Sequence, residues 1–593
     1  MGKMRTALAI SALLFPFGLG AQNVQLNAPD ADESLRTTLT VASLTLSLAE
    51  EGADAPQDYV AAARADYRRL LTGLYAQGFY GGTISILVDG VEASSIDPLM
   101  PRALVGSVVL SVDPGPRFTF GRTDITPLAR GTSLPDAFAT GQIAESGVVG
   151  DAADAAVEGW RNNSRPLAQT AGQSITARHP DQALDVSIIV DPGPELRFGI
   201  VSVEGNENVR TDRIRAIAGL PDGPFDPAMI ERAEENLRRM GTFSSATVIE
   251  ADAATGDNLP LTIAVVEQAP RRVGFGAEFS SVSGLTLSGF WMHRNLLGGA
   301  ERFRVEGEVT GLSGGTGGID YTLGVSFVRP ATFRQDNDLY AEALFTQLDE
   351  PSFFERDASI EVGVIRRLRD DFVGEFGIGF AAGEVTDTLG TRTYSLISLP
   401  VKCTVDRRDD AFNPESGYYA DLSIAPFVGL GDTGTGVRVL GDGRVYRSFG
   451  TDDRVTLAAR GQIGSVIGAS ANEVPSSYLF FSGGGGSVRG QPYQSLAVDL
   501  GGGNEIGGTS FVATQLEARV DINDTFGVVG FYDAGFVGAD SVPFSNGDWH
   551  AGAGVGVRYN TGIGPIRLDL ATPANGDNAG RSLEVYIGIG QAF

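Results

Sequence analysis

The C-terminal half of the chain, residues 271–593, alternates apolar positions with small or polar ones along segments separated by Gly, Asp and Asn turns. In one segment Tyr321 and Leu323 alternate with Thr322 and Gly324. A two-residue period over about ten residues predicts membrane-spanning β-strands with one face toward lipid and the other toward a polar interior. Counting such segments predicts an all-β transmembrane barrel of about 16 antiparallel strands, whose even number returns both ends to one side.

The N-terminal half repeats a strand, a Pro/Gly turn and a second strand at a nearly constant interval. The sequence Asp-Pro-Gly-Pro at 113–116 returns at 191–194, a displacement of 78 residues, and a degraded copy at 267–270 follows 76 residues later. A period of this length is that of a small domain rather than of a solenoid turn. The repeat predicts three α+β units before the barrel, at residues 22–115, 116–193 and 194–270.

The third unit shows the internal order of these domains most clearly. Alternation predicts strands over 196–204, 243–251 and 259–267. Two helices fit between the first two strands, and the second of them begins at Pro227 and ends before Gly241. The predicted order is therefore β-α-α-β-β.

Residues 1–21 have the order of a secretory signal peptide. Lys3 and Arg5 precede an apolar run over 7–20, and Ala21 supplies the small residue before a cleavage site. A buried N-terminal helix is the alternative, which the glycines and the proline of the run disfavour. Because no later run of about 18 uncharged apolar residues follows, the sequence predicts no transmembrane helix. If this exported chain spans a membrane, it must do so with strands.

The composition of the chain argues against several kinds of partner and against a metal or catalytic site. The net charge of −28 argues against nucleic acid or anionic lipid as a partner, because both require a basic surface. The single cysteine, Cys403, cannot form an internal disulfide, and the three histidines lack the spacing of zinc ligands. No nucleophile stands with an evident base and orienting group. The sequence therefore predicts no metal, no cofactor and no enzymatic activity.

Residues 483–493 form a glycine-rich stretch that carries one cation. Four consecutive glycines lead to Ser487 and then to Val488, Arg489 and Gly490. Glycine frees the backbone from ordinary φ/ψ limits, so the stretch is suited to bring one guanidinium to a fixed place. The connection that contains it, of about forty residues, is too long for a simple hairpin and is predicted to fold into the barrel lumen.

Strand parity predicts where this arginine binds. If Leu516 faces lipid on the following strand, Glu517 faces the lumen, and if Tyr532 faces lipid on the next strand, Asp533 faces the lumen. The opposite parity would expose charges to lipid, at a cost of about 2–4 kcal/mol for Arg or Lys at mid-bilayer. We expect Arg489 to pair chiefly with Asp533, with Glu517 as a second acceptor. A solvated extracellular arginine is the alternative. The same parity turns further charges inward, namely Arg519, Arg558, Arg567 and Asp569.

The first and last strands, predicted at 271–281 and 582–593, are both interrupted by glycines. Glycine packs little and weakens a strand, so the sequence predicts poor pairing where the barrel closes. The terminal aromatic resembles the C-terminal assembly signal of bacterial outer-membrane proteins. The residues predicted to form this lateral seam are Gly274, Gly276, Gly588, Gly590 and Phe593.

The motifs together resemble a known superfamily. Val-Arg-Gly at 488–490, Phe-Tyr-Asp-Ala-Gly at 531–535, Gly-Val-Gly-Val-Arg at 554–558 and Gly-Pro-Ile-Arg-Leu-Asp at 564–569 stand in the order found in the BamA-type outer-membrane insertase superfamily. The N-terminal units resemble its polypeptide-transport-associated (POTRA) domains. Three such units and the ending Leu-Glu-Val-Tyr-Ile-Gly-Ile-Gly at 583–590 look most like its TamA branch, the outer-membrane subunit of the translocation and assembly module.

The resemblance implies an outer-membrane barrel with periplasmic POTRA domains that inserts or secretes β-proteins such as autotransporters through a barrel seam. It also implies a TamB-type partner, anchored in the inner membrane, at the first POTRA domain. One departure is Gln491, because the family usually has an aromatic directly after Arg-Gly, and here Tyr493 is the nearest aromatic.

Two other functions fit parts of the chain. A two-partner secretion transporter shares the barrel and the Arg-Gly loop, but typically has two POTRA units after a plug helix and a Pro-rich linker. A passive porin explains the barrel, but neither the repeated domains nor the loop.

Overall fold

The computed structural model describes residues 23–53, 55–97, 104–280, 284–312, 317–450, 453–562, 564–576 and 579–593. The predicted signal peptide, residues 1–21, lies outside these ranges. Among the described helices none is both long and apolar enough to cross a membrane.

The first small domain packs three helices on a four-stranded sheet. Its strands follow the order β1-β4-β2-β3, with β1 and β4 parallel. The buried carboxylate of Asp66 on the third helix accepts hydrogen bonds from the Ser43 hydroxyl (2.6 Å) and from the amides of Leu44 and Thr45. These bonds fix the start of the second helix. The elements are β1 (Asn23–Asn27), α1 (Glu33–Ala42), α2 (Leu44–Glu50), α3 (Pro56–Ala76), β2 (Thr83–Val88), β3 (Val91–Glu92) and β4 (Ser107–Asp113).

The second small domain has one α-helix on a three-stranded sheet of order β5-β7-β6, in which β5 and β7 are parallel. The helix buries Val149, Ala152 and Ala156 against that sheet. The elements are β5 (Thr119–Thr126), α4 (Ser146–Arg161), β6 (Gln169–Arg178) and β7 (Ala183–Asp191).

The third small domain has the predicted β-α-α-β-β order, and its sheet is arranged β8-β10-β9. The carboxylate of Glu267 accepts hydrogen bonds from the amides of Glu207, Asn208 and Val209. Burial raises the pKa of Glu267, but these amide hydrogens outweigh burial and hold that pKa below its ordinary value. The elements are β8 (Arg197–Glu204), α5 (Thr211–Ala218), α6 (Pro227–Arg239), β9 (Phe243–Glu250) and β10 (Asn258–Glu267).

The helix α5 is bonded to one end of the barrel. The Arg210 amide donates to the carbonyl of Gly298 (2.9 Å), and its guanidinium donates to the carbonyl of Leu297 (2.7 Å). Arg213 donates to the carbonyl of Pro330. The turns at 294–301 and 330–336 therefore lie at the barrel end that carries the third small domain.

The barrel is a single antiparallel sheet of 17 strands. Its strands are β11 (Arg271–Ser280), β12 (Gly284–His293), β13 (Arg302–Leu312), β14 (Asp320–Arg329), β15 (Asn337–Glu350), β16 (Phe353–Arg369), β17 (Phe372–Asp387), β18 (Gly390–Ser398), β19 (Val401–Asp406), β20 (Gly417–Gly429), β21 (Gly436–Phe449), β22 (Val455–Ile467), β25 (Ser510–Asp521), β26 (Phe526–Gly538), β27 (Gly547–Tyr559), β28 (Ile566–Pro573) and β29 (Glu584–Ile589). A separate hairpin, β23 (Val498–Gly501) and β24 (Asn504–Ile506), lies in the connection between β22 and β25.

Two of these strands form one span. Both β18 and β19 pair with β17 on one side and β20 on the other, and only Leu399 and Pro400 separate them. Proline cannot donate to a ladder, which explains the interruption. The barrel therefore has 16 spans, and the predicted strand number is confirmed.

The predicted parity of the four strands β25 to β28 is confirmed. Leu516 (48%), Val555 (64%) and Leu568 (42%) are exposed on the outer face, whereas Glu517 and Asp533 are buried inside. Because an outer face in contact with lipid must be apolar, this alternation fixes the register of each strand.

Candidate functional site in the barrel lumen

The connection between β22 and β25, residues 468–509, is here called the lumenal loop. It packs against the inner wall of the barrel through an apolar cluster that joins Val474, Leu479 and Phe480 of the loop to Phe427 and Val537 of the wall. Within the stretch 483–493, residues 487–491 are all buried. This packing brings Arg489 to the strands that follow the loop.

Arg489 binds the acid that parity predicts. Its Nε and Nη2 donate to the two carboxylate oxygens of Asp533 at 2.7 and 2.9 Å, which is a bidentate pair. Its backbone amide donates to the same carboxylate at 3.0 Å. Nη1 donates to Oε1 of Glu517 at 2.6 Å. Strand parity thus placed both acceptors correctly.

A third carboxylate and an aromatic ring complete the surroundings of this guanidinium. Nη1 of Arg489 lies 3.3 Å from Oδ2 of Asp569, and the guanidinium carbon lies 3.7 Å from the centroid of Phe531. Asp569 also pairs with Arg558, and Glu517 with Arg519. The site is therefore a network of three arginines and three acids with no net charge.

The burial of this network sets its energetic role. The Arg489 side chain is 2% exposed, and those of Asp533, Glu517 and Asp569 are fully buried. Desolvation offsets much of the attraction in such pairs, so their net stabilisation is small. Removal of one partner, in contrast, leaves a buried charge without compensation, at a cost of about 3–5 kcal/mol. The network therefore strongly disfavours any loop position in which Arg489 has left the wall.

The neighbours of Arg489 make the close approach possible. Gly490 has φ +90°, and a Cβ there would lie 2.5 Å from the carbonyl oxygen of Thr572. Its amide donates to the hydroxyl of Tyr586, on the last strand, at 3.1 Å. Val488 is fully buried, and a Cβ on Gly535 would lie 2.8 Å from it. All three residues of the predicted motif thus contact the wall.

The departure at Gln491 is accommodated by a different contact. Its side-chain amide donates to the carbonyl of Ala551 at 2.7 Å, and the residue is buried. Tyr493 turns to the opposite wall, where its hydroxyl lies 3.2 Å from Glu350. A hydrogen bond therefore occupies the place where the family usually has an aromatic.

Sequence reasoning missed two contributors to the network. A Cβ on Gly552 of β27 would collide with the carbonyl oxygen of Arg489, so the loop needs a glycine there. No sequence pattern near Gly552 signals this contact. Phe531 is inward by the same parity as Asp533, and an aromatic two positions before an inward acid could have indicated a cation–π contact.

A second attachment of the lumenal loop was also missed. Glu355 on β16 is fully buried and accepts hydrogen bonds from the amide (3.0 Å) and hydroxyl (2.6 Å) of Ser477. The hydroxyl of Tyr394 donates to it at 2.8 Å. The loop is therefore attached to two distant parts of the wall.

The predicted seam lies between β11 and β29, the two end strands of the sheet. Among the described residues no ladder of hydrogen bonds joins these strands, although they lie next to each other. The seam glycines make room for side chains of the adjacent strands. A Cβ on Gly274 would clash with the ring of Phe290, one on Gly276 would lie 2.6 Å from the Ser288 hydroxyl, and one on Gly588 would lie 3.0 Å from Nε of Arg567.

Two of the predicted seam residues lie outside the last strand, which ends at Ile589. Gly590 has φ +86°, and the chain leaves the sheet there. Phe593 is buried, with its ring centroid 6.3 Å from that of Tyr446, and its carbonyl accepts from Arg519 at 3.2 Å. The prediction that the last strand continues to Phe593 was wrong, because the chain leaves the sheet at Gly590, where φ is positive.

Comparison with known proteins agrees with this architecture. "Outer membrane protein assembly factor BamA" of Neorickettsia risticii (strain Illinois) is 22% identical over 507 residues, which cover 78% of this chain and 64% of the relative. The chain thus spans less than two thirds of that relative's length. The crystal structure of BamA from Haemophilus ducreyi lacking POTRA domains 1–3 has the same fold, with a TM-score of 0.63 at 15% identity, covering 79% of this chain and 99% of that one.

Family models match both halves of the chain. Residues 196–268 match the POTRA model, described as a surface antigen variable number repeat, and these residues are the third small domain. Residues 295–593, half of the chain, match the Omp85 superfamily domain. The chain therefore belongs to the Omp85 superfamily, and its barrel is an outer-membrane barrel with its POTRA domains on the periplasmic side.

Proposed function

We propose that this protein is a non-enzymatic factor that inserts or secretes β-proteins, including autotransporters, at the outer membrane through the seam between β11 and β29. The observation that carries the proposal is that, among the residues that the structure describes, no ladder of backbone hydrogen bonds joins these two strands. The similarity to the Neorickettsia relative, an outer membrane protein assembly factor, supports the same activity.

The physical basis of the proposal is edge pairing. A nascent barrel strand in lipid carries unpaired N–H and C=O groups, and each costs several kcal/mol there. The edges of β11 and β29 offer such groups a template, as exposed sheet edges do in general. Strand addition at the seam needs no nucleotide hydrolysis, because hydrogen bonding of the substrate backbone drives it.

We assign the Arg489 network the role of a latch for the lumenal loop beside the seam. The support is the contact from Gly490 to Tyr586, since Tyr586 belongs to β29 itself. When β29 separates from β11, the loop remains bonded to Glu517 on β25 and to Asp533 on β26. The latch then preserves the barrel wall while the seam opens.

We further propose that the protein is of the TamA type, with a TamB-like partner anchored in the inner membrane. The three small domains and the ending at 583–590 support this assignment. Cross-linking of intact cells from the first small domain should capture an inner-membrane protein. Capture of soluble secretion substrates alone would favour a two-partner secretion transporter instead.

The test of the seam is a covalent bridge across it. Cys403 is first replaced by serine, because it is the single native cysteine. Cysteines at Ala277 and Ile587, both exposed on the outer face, are then joined by a short bis-maleimide in proteoliposomes. We expect the bridge to abolish assembly of a substrate β-barrel, and cleavage of a reducible version to restore it.

A matched control bridges Val305 and Val325, which face each other on β13 and β14. These strands share a regular ladder, so the control bridge should leave assembly unchanged. Undiminished assembly by the protein bridged at the seam would refute lateral opening.

A further inference from the structure

A polar cavity lies at the periplasmic end of the barrel, beside the third POTRA domain. Helix α6 provides Arg232, Asn236 and Arg239 to one wall. The turn before β15, the end of β16 and the turn after β16 provide the other wall, which includes Asp336 and Asp370. All of these residues belong to one compact unit of the chain. The cavity is distant in sequence from the lumenal loop and has no part in the latch.

The helix wall offers buried donors without acceptors. Asn236 is 6% exposed, and its amide nitrogen has no hydrogen-bond partner, while its oxygen accepts from Nη2 of Arg239 at 2.9 Å. Nε of Arg239 is also buried without a partner. Unsatisfied buried donors are uncommon in folded proteins, and each of them needs an explanation such as a bound ligand. Asn236 and Arg239 lie about one turn apart on α6, and both line this cavity.

The charges of the cavity are only partly paired. Arg367 pairs with Asp338 at 3.0 Å, and Arg369 with Asp371 at 3.1 Å. In the part of the chain that the structure describes, Arg232 and Arg239 of the helix wall form no ion pair, and neither do Asp336 and Asp370 of the barrel wall. Among the described residues, the cations without an ion pair therefore lie on the helix wall of the cavity, and the carboxylates without one lie on the barrel wall.

The surroundings of Arg239 do not balance its positive charge. Burial, followed by the neighbouring guanidinium of Arg367, lowers the pKa of Arg239. A lowered pKa means that the surroundings disfavour the positive charge. An anion in the cavity would remove this penalty and accept the unused hydrogen bonds.

The rim of the cavity continues into the lipid-facing surface. Leu368 lines the cavity, is 50% exposed, and lies at the bulge near the end of β16, below the outward-facing Ile360 and Val362 of the same strand. The guanidinium carbon of Arg369 lies 5.9 Å from the ring centroid of Phe372 at the start of the next strand. Basic and aromatic residues at strand ends are typical of the boundary between lipid and water. Acyl chains can thus pass along Leu368 while a headgroup enters the cavity.

We infer that this cavity binds the headgroup of a zwitterionic phospholipid of the periplasmic leaflet, with its phosphate on Arg232, Arg239 and Asn236 and its ammonium on Asp336 and Asp370. A free phosphate fits less well, because the two carboxylates would repel it. An anionic lipid without an ammonium leaves these carboxylates unpaired. A lipid bound in this cavity contacts the third POTRA domain and the barrel while its acyl chains remain in the bilayer. The cavity is separate from the seam.

Native mass spectrometry of the full chain in detergent tests the inference with three probes, which are dioleoylphosphatidylethanolamine, dioleoylphosphatidylglycerol and inorganic phosphate. We expect one phosphatidylethanolamine per chain, bound about tenfold more tightly than phosphatidylglycerol, and no stable phosphate adduct, because each charge-assisted bond is worth roughly a factor of ten. The double variant Arg232→Gln/Arg239→Gln should lose about tenfold or more in affinity for phosphatidylethanolamine.

Two further variants keep the test decisive. Arg238→Gln, on the same helix but paired with Glu234 and Glu235, should bind as the unmodified chain does. Asp336→Asn/Asp370→Asn, confined to barrel turns, should abolish the preference for phosphatidylethanolamine over phosphatidylglycerol even if the arginine variant fails to fold. Equal binding by all variants would overturn the site, and phosphate binding in preference to lipid would overturn its assignment to a headgroup.

Discussion

At the scale of single residues, Arg489 decides whether the lumenal loop stays on the wall, because its charge is buried among three carboxylates. The carboxylates that bind Arg489 could be predicted from the sequence. Lipid-facing positions must be apolar, so the acids on the same strands face the lumen. The third acceptor, Asp569, was predicted to face inward but not to touch Arg489. Sequence parity fixes the face of a strand, whereas the reach of a loop side chain along that face depends on tertiary packing.

Replacement of Arg489 by alanine should lower the free energy of unfolding by about 3–5 kcal/mol, because Asp533 and Glu517 would remain buried without their main partner. Urea unfolding of the reconstituted chain, followed by intrinsic fluorescence, measures this loss. Replacement of Arg238, an exposed arginine in surface pairs, should change it by less than about 1 kcal/mol.

The pairing itself is examined by a double-mutant cycle. Arg489→Ala and Asp533→Ala should together cost much less than the sum of their separate effects, because the second removal relieves the charge exposed by the first. Strictly additive losses would show that the two residues stabilise the barrel independently.

At the scale of elements, the alternating pattern predicted the barrel strands because a two-sided environment imposes a two-residue period. The interruption between β18 and β19 was not predicted, since Pro400 sits between two segments that both alternate. Similarly, Gly590 ended the last strand earlier than the apolar pattern indicated. The apolar–polar alternation predicts which face of the sheet a residue occupies. The residue at which strand pairing stops depends on local backbone geometry, which the alternation does not show.

The approach of the lumenal loop to β27 depends on Gly552. Gly552→Ala should displace Arg489 and destabilise the barrel by about 1–3 kcal/mol, because the new Cβ meets a backbone carbonyl rather than a movable side chain. The urea midpoint and the rate of proteolysis within residues 468–509 report the displacement. Gly530→Ala is the matched control, since a Cβ there meets nothing within 4 Å. If both variants behave alike, the close approach is not required.

At the scale of the whole molecule, two periods in the sequence indicated three small domains and a barrel. The small domains repeat about every 77 residues, and the barrel strands alternate every two residues. The contacts of α5 with barrel turns and the cavity beside α6 were not predictable. They depend on how residues far apart in sequence meet, and no local pattern records that. The same holds for the attachment of the lumenal loop at Glu355.

The central claim is that a substrate strand pairs with the edge of β11. The most direct measurement places a photo-cross-linking benzoylphenylalanine at Phe275 of β11, which is 88% exposed, and follows assembly of a substrate β-barrel in proteoliposomes. The same probe at Leu323 of β14, an exposed position in a regular ladder, is the control. We expect the probe at Phe275 to capture a terminal strand of the substrate and the probe at Leu323 to capture lipid alone. Equal capture at both positions, or capture at neither during active assembly, would contradict the account.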